Sequence, residues 1–293
     1  MARQGVALCN KINERLLMRH LGPKCFAQPK FNGLRGWVAW DIRPGHGGCH
    51  TGDVYPEIIS SGGNKLQFFE HIEAELKSLN LVRQWDGEIY KHGMGFEDIL
   101  SIARRTVNRK EGKLDYHIFD VKMDAPQDFR LDQLNLLAAR VKNIGLSHIK
   151  VSPTFPILTS EWRVHLANFV EQGYEGIILR KWNGEYLERK SNNILKYKAT
   201  IKRNYRIIAV LQGEGWCYDR AGSVLVRDDS GREFSVGSGR IFTADGRLDV
   251  WRKRVTLVGQ DLTVRHEKEV TQTTYGKPRG CNAWEIVGEE INF

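Results

Sequence analysis

Five short stretches of the chain hold residues able to do chemistry, in the order lysine, acid, aromatic, acid, lysine pair. "KFNGLR" (30–35) sets Lys30 ahead of an Asn-Gly pair and Arg35, and "WDGEIY" (85–90) carries Glu88. "YHIFDVK" (116–122) carries Phe119 and Asp120, "YEGIILRK" (174–181) carries Glu175, and "ILKYK" (194–198) carries Lys196 and Lys198. A lysine amine is a nucleophile once its proton has left; otherwise it is a solvated charge at a strand end. The residue types alone leave both readings open for Lys30. Asn32-Gly33 reads as a turn, because both residues tolerate positive φ. Asp-Gly-Glu and Glu-Gly read as turns entering strands, and Lys196 and Lys198, two apart, share one face of a strand.

The elements that must position these residues belong to a chain of 293 residues, long enough for one large domain or two modest ones. With 41% hydrophobic and 27% charged residues it should fold as a globule. Its net charge of +9 favours a polyanionic partner. The first twenty residues lack the apolar core of a signal peptide, and no run of about 18 apolar residues offers a membrane span. Five scattered cysteines without a C-x-x-C pair argue against a disulfide framework and a structural zinc site, and predict a cytoplasmic protein. "HGGCH" (46–50) lacks a nearby fourth ligand and is not expected to bind metal. No G-x-x-x-x-G-K-[ST] loop is present.

Pattern predicts helices over 9–20, 62–79, 96–107, about 130–143 and about 160–172. Strands are expected over 34–42, 82–90, 114–123, 174–182 and 194–198, giving an α+β body built on antiparallel sheets. Beyond about residue 200 the texture changes to short strands, "YRIIAVLQ", "GSVLVRD", "REFSVGSG" and "QDLTVRHEKEV", with one helix-like piece, "RLDVWRKRVTLV". Such a run suits a small Greek-key barrel such as the OB-fold, with a boundary near 199–204. Between them, residues 181–206 hold eight basic and two acidic side chains, among them Lys190, Lys202 and Arg203. We read that segment as a face that tracks nucleic-acid phosphates.

The five stretches, in this order and spacing, resemble the covalent nucleotidyltransferase superfamily of ATP-dependent DNA ligases, RNA ligases and mRNA-capping enzymes. Within it the chain is most similar to minimal DNA ligases of virus and phage type, over about residues 24–280. The resemblance implies an ATP-grasp-like nucleotidyltransferase domain with antiparallel sheets over 1–201, and a small all-β OB-fold domain over 202–293. It implies an enzyme that seals nicks in duplex DNA, with ATP as co-substrate and Mg²⁺ or Mn²⁺ as the metal, acting as a monomer away from membranes. Lys30 matches the lysine that becomes Lys-AMP, and Lys196 and Lys198 match paired lysines that meet the phosphates and ease loss of the Lys30 proton. Glu88 and Glu175 match the acidic positions that engage metal and nucleotide. Phe119 matches the aromatic stacked on adenine. Arg35 matches an arginine binding sugar or nick phosphate, and Arg189 a further phosphate-binding arginine. Lys277 and Arg279, in "GKPRG", match the end of the OB domain. The resemblance implies closure of that domain about a hinge near 199–204.

Three positions depart from the pattern. Asn32 stands where DNA ligases carry Asp, and such an Asn occurs among RNA ligases. Ser61 stands where an arginine is expected to hold the 5′-phosphate, with Lys65 or Arg43 as substitutes. "CNAWEIV" follows "GKPRG" in place of the usual ending. Two alternatives therefore stand beside the DNA ligase: an RNA ligase or capping nucleotidyltransferase on the same core, and an inactive nucleic-acid-binding protein.

Overall fold

The computed structural model describes residues 5–43, 53–104, 114–267, 278 and 280–288. The chain divides into two compact units, Met1–Tyr197 and Lys198–Phe293. In the first, strands are β1 (Leu8–Lys11), β2 (Lys24–Lys30), β3 (Leu34–Arg43), β4 (Asp53–Ser60), β5 (Trp85–Tyr90), β6 (Asp115–Val121), β7 (Ile149–Val151), β8 (Phe155–Leu158), β9 (Gly176–Lys181) and β10 (Lys190–Lys198). The helices are α1 (Leu17–Leu21), α2 (Glu70–Ser78), α3 (Phe96–Arg104), α4 (Gln127–Ile144) and α5 (Trp162–Glu171). Two five-stranded sheets result, ordered β1-β10-β9-β2-β8 and β4-β3-β5-β6-β7. All pairings described within them are antiparallel except β1 with β10 and β6 with β7.

Each sheet buries its own core. Ile72 and Leu76 of α2 and Leu134 and Leu137 of α4 join Val38, Ile58, Trp85, Ile89 and Ile118 of the second sheet. Leu17, Leu21, Trp162 and Phe169 from α1 and α5 join Cys25, Ala27, Ile177, Leu179 and Leu195 of the first. β2 runs nearly buried throughout, as a central strand must. Its proline needs a reason, because proline donates nothing to a ladder. β8 pairs only with Lys24–Ala27, so Pro29 sits where β2 has β9 alone as a neighbour.

The second unit holds β11 (Thr200–Gln212), β12 (Ala221–Arg227), β13 (Glu233–Val236), β14 (Asp261–Glu267) and β15 (Asn282–Ile286), with α6 (Ala244–Arg252) before β14. The sheet order is β13-β12-β11-β14-β15, all antiparallel. Tyr205, Val224, Val226, Phe234, Val250, Leu262, Val264 and Ile286 form its core. Among the described residues no helix is long and apolar enough to cross a membrane.

Several expectations need correction. The helix over 9–20 does not exist as such: Leu8–Lys11 is a strand on β10, Glu14–Leu16 is a 3-10 turn capped by Asn13, and only Leu17–Leu21 is α-helix. Pairing with a strand far along the chain overrides local periodicity here. The 62–79 helix begins only at Glu70, because Phe68 takes φ 67 and breaks the run. The helix expected over residues 247–258 instead spans Ala244–Arg252, started by Thr243, whose hydroxyl accepts from Gly246 N–H at 3.0 Å. β7, β8 and β15, three to five residues long, went unread, and so did the seven-residue β2.

Candidate active site

Lys30 is the last residue of β2, opposite Gly176 at the start of β9. Phe31, immediately after it, is buried among Tyr90, His117 and Tyr174, with ring centroids 5.1, 4.9 and 5.7 Å away. That anchor fixes where the strand ends. Lys30 Nζ donates to its neighbour's carbonyl, Phe31 O, at 3.1 Å and forms an ion pair with Glu175. The backbone closes the same contact, Glu175 N donating to Lys30 O at 3.1 Å. The Glu175 side chain is 5% exposed and Lys30 18%, so the amine is a held group and not a solvated one.

The turn after β2 brings in the second carboxylate. Gly33 N–H donates to Glu88 Oε1 at 2.9 Å, and Arg35 lies opposite Glu88 across β3 and β5. Neither Asn32 nor Gly33 takes a positive φ, so the expected reason for glycine is not the operative one. Gly33 is needed because a Cβ there would meet Ile89 O at 2.2 Å. Burial pushes the Glu88 carboxyl up, Lys30, the Gly33 N–H and Arg35 oppose that, and Glu175 reinforces it. A buried carboxylate in that state favours a cation beside it.

Arg35 is held by a carboxylate of the neighbouring strand. Its guanidinium is taken by Asp86 through two contacts, Nε to Oδ1 at 3.0 Å and Nη2 to Oδ2. Tyr186 Oη donates to the same Asp86 oxygen at 2.6 Å. Burial works against the charge on Arg35, and the adjacent Asp86 carboxylate outweighs it, raising the guanidinium pKa. Arg35 also lies 5.2 Å from the Phe119 ring centroid, with Arg180 5.5 Å from it. Phe119 is only partly buried, but its position is tightly set. Asp120 beside it is wholly buried between Arg130 (2.8 Å) and Arg180. Burial raises the Asp120 carboxyl pKa, and the two guanidinium groups bring it below the usual range. Gln28 links this network to the aromatic, accepting from Arg180 Nε at 2.6 Å and donating to Phe119 O at 2.9 Å.

The structure thus gathers Lys30, Glu175, Glu88, Arg35 and Phe119. Lys196 and Lys198 lie in the same sheet as Lys30, on β10, with β9 between that strand and β2. Lys198 pairs with Glu267 at 2.9 Å. Arg189 and Lys190 are exposed on or beside β10, and Lys202 and Arg203 are exposed on β11, Arg203 3.5 Å from Asp229. Lys65 pairs with Glu57 at 2.7 Å. Lys277, Arg279, residues 46–50 and the Arg43 side chain lie outside the described residues. The reading of the sequence missed Asp86, Tyr186, Arg130 and Arg180. Asp120 in "HIFDV" and Arg180 in "IILRK" carried a signal, since a charge inside an apolar strand must find a partner.

Among the described residues no three His, Cys, Asp or Glu side chains converge as a metal-binding group. Glu88 and Glu175 nonetheless suit Mg²⁺ or Mn²⁺, hard ions that bind through one or two carboxylates and complete their shell with water and phosphate oxygens.

No protein-family model matches the chain. It is 27% identical over 255 residues to a DNA ligase of Haemophilus influenzae, covering 86% of this chain and 87% of that one. Among solved structures it superposes on a Lig E DNA ligase with a TM-score of 0.67 and 21% identity, over 96% of this chain and 98% of that one. The ATP-dependent DNA ligase of bacteriophage T7, solved with ATP, gives a TM-score of 0.55 at 12% identity, over 96% and 98%. By sequence the chain is similar to DNA ligases, and its fold is that of solved DNA ligases, an ATP-dependent one among them.

Proposed function

We propose that the chain is an ATP-dependent DNA ligase that seals nicks in duplex DNA through an adenylylated Lys30. The observation that carries this reading is the Lys30–Glu175 ion pair at the end of β2, beside a Glu88 anchored on Gly33. An ammonium has no lone pair to attack with, so Lys30 must give up a proton first. Glu175 Oε2, already in contact with Nζ, takes it. The Nζ lone pair then forms a P–N bond with the α-phosphorus of ATP, and the bond to the β-phosphate oxygen breaks with release of pyrophosphate. In the second step a 5′-phosphate oxygen of the nick displaces Lys30, and in the third the 3′-hydroxyl displaces AMP.

Phe119 offers its ring to the adenine, braced by Gln28 and the two flanking guanidinium groups. Glu88 and Glu175 would hold Mg²⁺ or Mn²⁺, which when bound offsets phosphate charge. Lys196 and Lys198 serve as phosphate-facing cations. Arg35, Arg189, Lys190, Lys202, Arg203, Lys277 and Arg279 serve the nucleic acid. We read unit 1 as the nucleotidyltransferase domain and unit 2, with five antiparallel strands and one α-helix among its described residues, as the OB-fold. The chain acts as a monomer in a reducing compartment such as the cytoplasm.

Incubation with ATP and Mg²⁺ followed by intact-mass measurement tests the first step. One AMP per chain, absent in Lys30→Ala, is expected. Nicked DNA, nicked RNA and hybrid duplexes then test the substrate, with sealing expected on DNA. No adduct, or one that survives Lys30→Ala, overturns the proposal.

A further inference from the structure

One cluster in unit 2 extends from Lys202 to cations that the proposed function does not use. Three cations gather on a single indole: Lys202 Nζ lies 4.0 Å from the Trp284 ring centroid, Arg265 Cζ 5.2 Å and Arg240 Cζ 5.9 Å. They come from three places in the chain. Lys202 is on β11, Arg265 on β14, and Arg240 follows β13, its N–H donating to Ala283 O at 2.8 Å beside Trp284. All three cationic residues are exposed.

The register makes the clustering costly. Lys202 and Arg265 are direct cross-strand partners, and like charges facing each other across a ladder destabilise a sheet. Glu267, two residues from Arg265 on β14, is paired with Lys198 at 2.9 Å. The strand face carrying Lys202 and Arg265 also carries Thr200, Asn204 and Thr263, while Tyr205, Leu262 and Val264 point from the other face into the core. Glu267 and Asp261 share this polar outer face, and the three side chains drawn to the indole on it are all cations. Stacking on the indole offsets part of the repulsion and holds each cation in place, and an anion over the cluster would offset the rest.

We propose that Trp284 is a positioning residue that gathers Lys202, Arg240 and Arg265 into a platform for the phosphate backbone of duplex DNA. The choice of DNA as the polyanion rests on the ligase reading, whereas the phosphate chemistry rests on the cluster itself.

Fluorescence anisotropy of the full chain on a labelled nicked duplex, repeated over a salt series, tests this. Each neutralised phosphate adds about 0.9 to the slope of log Kd against log salt. The double variant Lys202→Gln/Arg265→Gln should lower the slope by about 1.8 while melting at or above the wild-type temperature. Trp284→Leu should weaken binding about tenfold, and Trp284→Phe should restore most of it. Arg227→Gln, which removes an exposed cation paired with Glu233 at 2.6 Å, should leave the slope unchanged. An unchanged slope in the double variant, or an equal loss per charge in Arg227→Gln, overturns the platform. Adduct formation at Lys30 is scored in parallel on the wild type. An adduct with an unaltered slope rejects the platform alone, and a lowered slope without an adduct rejects the ligase reading and leaves the platform standing.

Discussion

Arg35 and Asp86 form an ion pair of two contacts in which the carboxylate side chain is 0% exposed and the guanidinium side chain 17%. Tyr186 completes it from β9's C-terminal side, and Ala7 N–H donates to the Tyr186 hydroxyl at 3.3 Å. Arg35 is therefore held in place before any substrate arrives. Removing the carboxylate strands a half-buried charge, so Asp86→Ala should cost about 3–5 kcal/mol. Tyr186→Phe keeps the ion pair and should cost about 1 kcal/mol. Urea denaturation of the two variants checks the contrast, and equal losses would show that the hydroxyl matters as much as the charge.

Gly33 lets the turn after Lys30 pass against Ile89. A methyl at this position would sit 2.2 Å from a backbone carbonyl, which cannot rotate away as a side chain can. The turn must shift, taking with it the N–H that anchors Glu88. Misplacement of about 1 Å at a reacting centre can cost on the order of 10²-fold in rate. Gly33→Ala should slow formation of the AMP adduct by about that factor, measured by rapid quench with labelled ATP. A wild-type rate would show that the turn has room the geometry denies it.

His117 supplies a dependence on pH. It packs between Phe31 and Tyr90, and its Nε2 is buried with no hydrogen-bond partner among the described residues. Burial lowers its pKa from 6.5 to about 4; Asp115 opposes this, and Lys150, His92 and Lys91 add to it. The unfolded chain takes up a proton near pH 6.5 and the folded chain does not until about pH 4. Stability is therefore lost as pH falls through that window, by up to about 3 kcal/mol from this residue. His117→Phe should flatten the fall between pH 7 and pH 5 in denaturant titrations. A curve parallel to wild type would assign the acid sensitivity elsewhere.

Asp120 is held by two guanidinium groups and reaches Phe119 through Gln28. Asp120→Asn keeps the shape but leaves Arg130 and Arg180 facing each other without an anion. A loss of about 3–5 kcal/mol is expected, with weaker ATP binding because the aromatic loses its brace. Thermal melts with and without ATP separate the two effects. A variant as stable as wild type would mean that the arginines re-pair with Gln127, which already accepts from both.

The groups that could react were legible in the chain because each sits in a short patterned stretch. Lys30 ends a strand that the pattern did not reveal, Glu175 precedes one that it did, and the two meet because β2 and β9 pair. What holds them was less visible. Asp86 read as half of an Asp-Gly turn, and nothing local indicates that its partner is Arg35, 51 residues earlier. The helical spacing of 9–20 misled for the same reason, since the strand that claims Leu8–Lys11 is known only once residues 190–196 are in place. β15 escaped because five residues give too little alternation to read.

That parallel pairing of β1 with β10 bears on how the molecule is made. Asn10 bonds Asn192 at 2.6 Å, 182 positions later. During synthesis the opening strand therefore waits, edge uncovered, until most of the first unit has left the ribosome. Closing this seam is a late event in folding, because its two strands lie far apart in the chain.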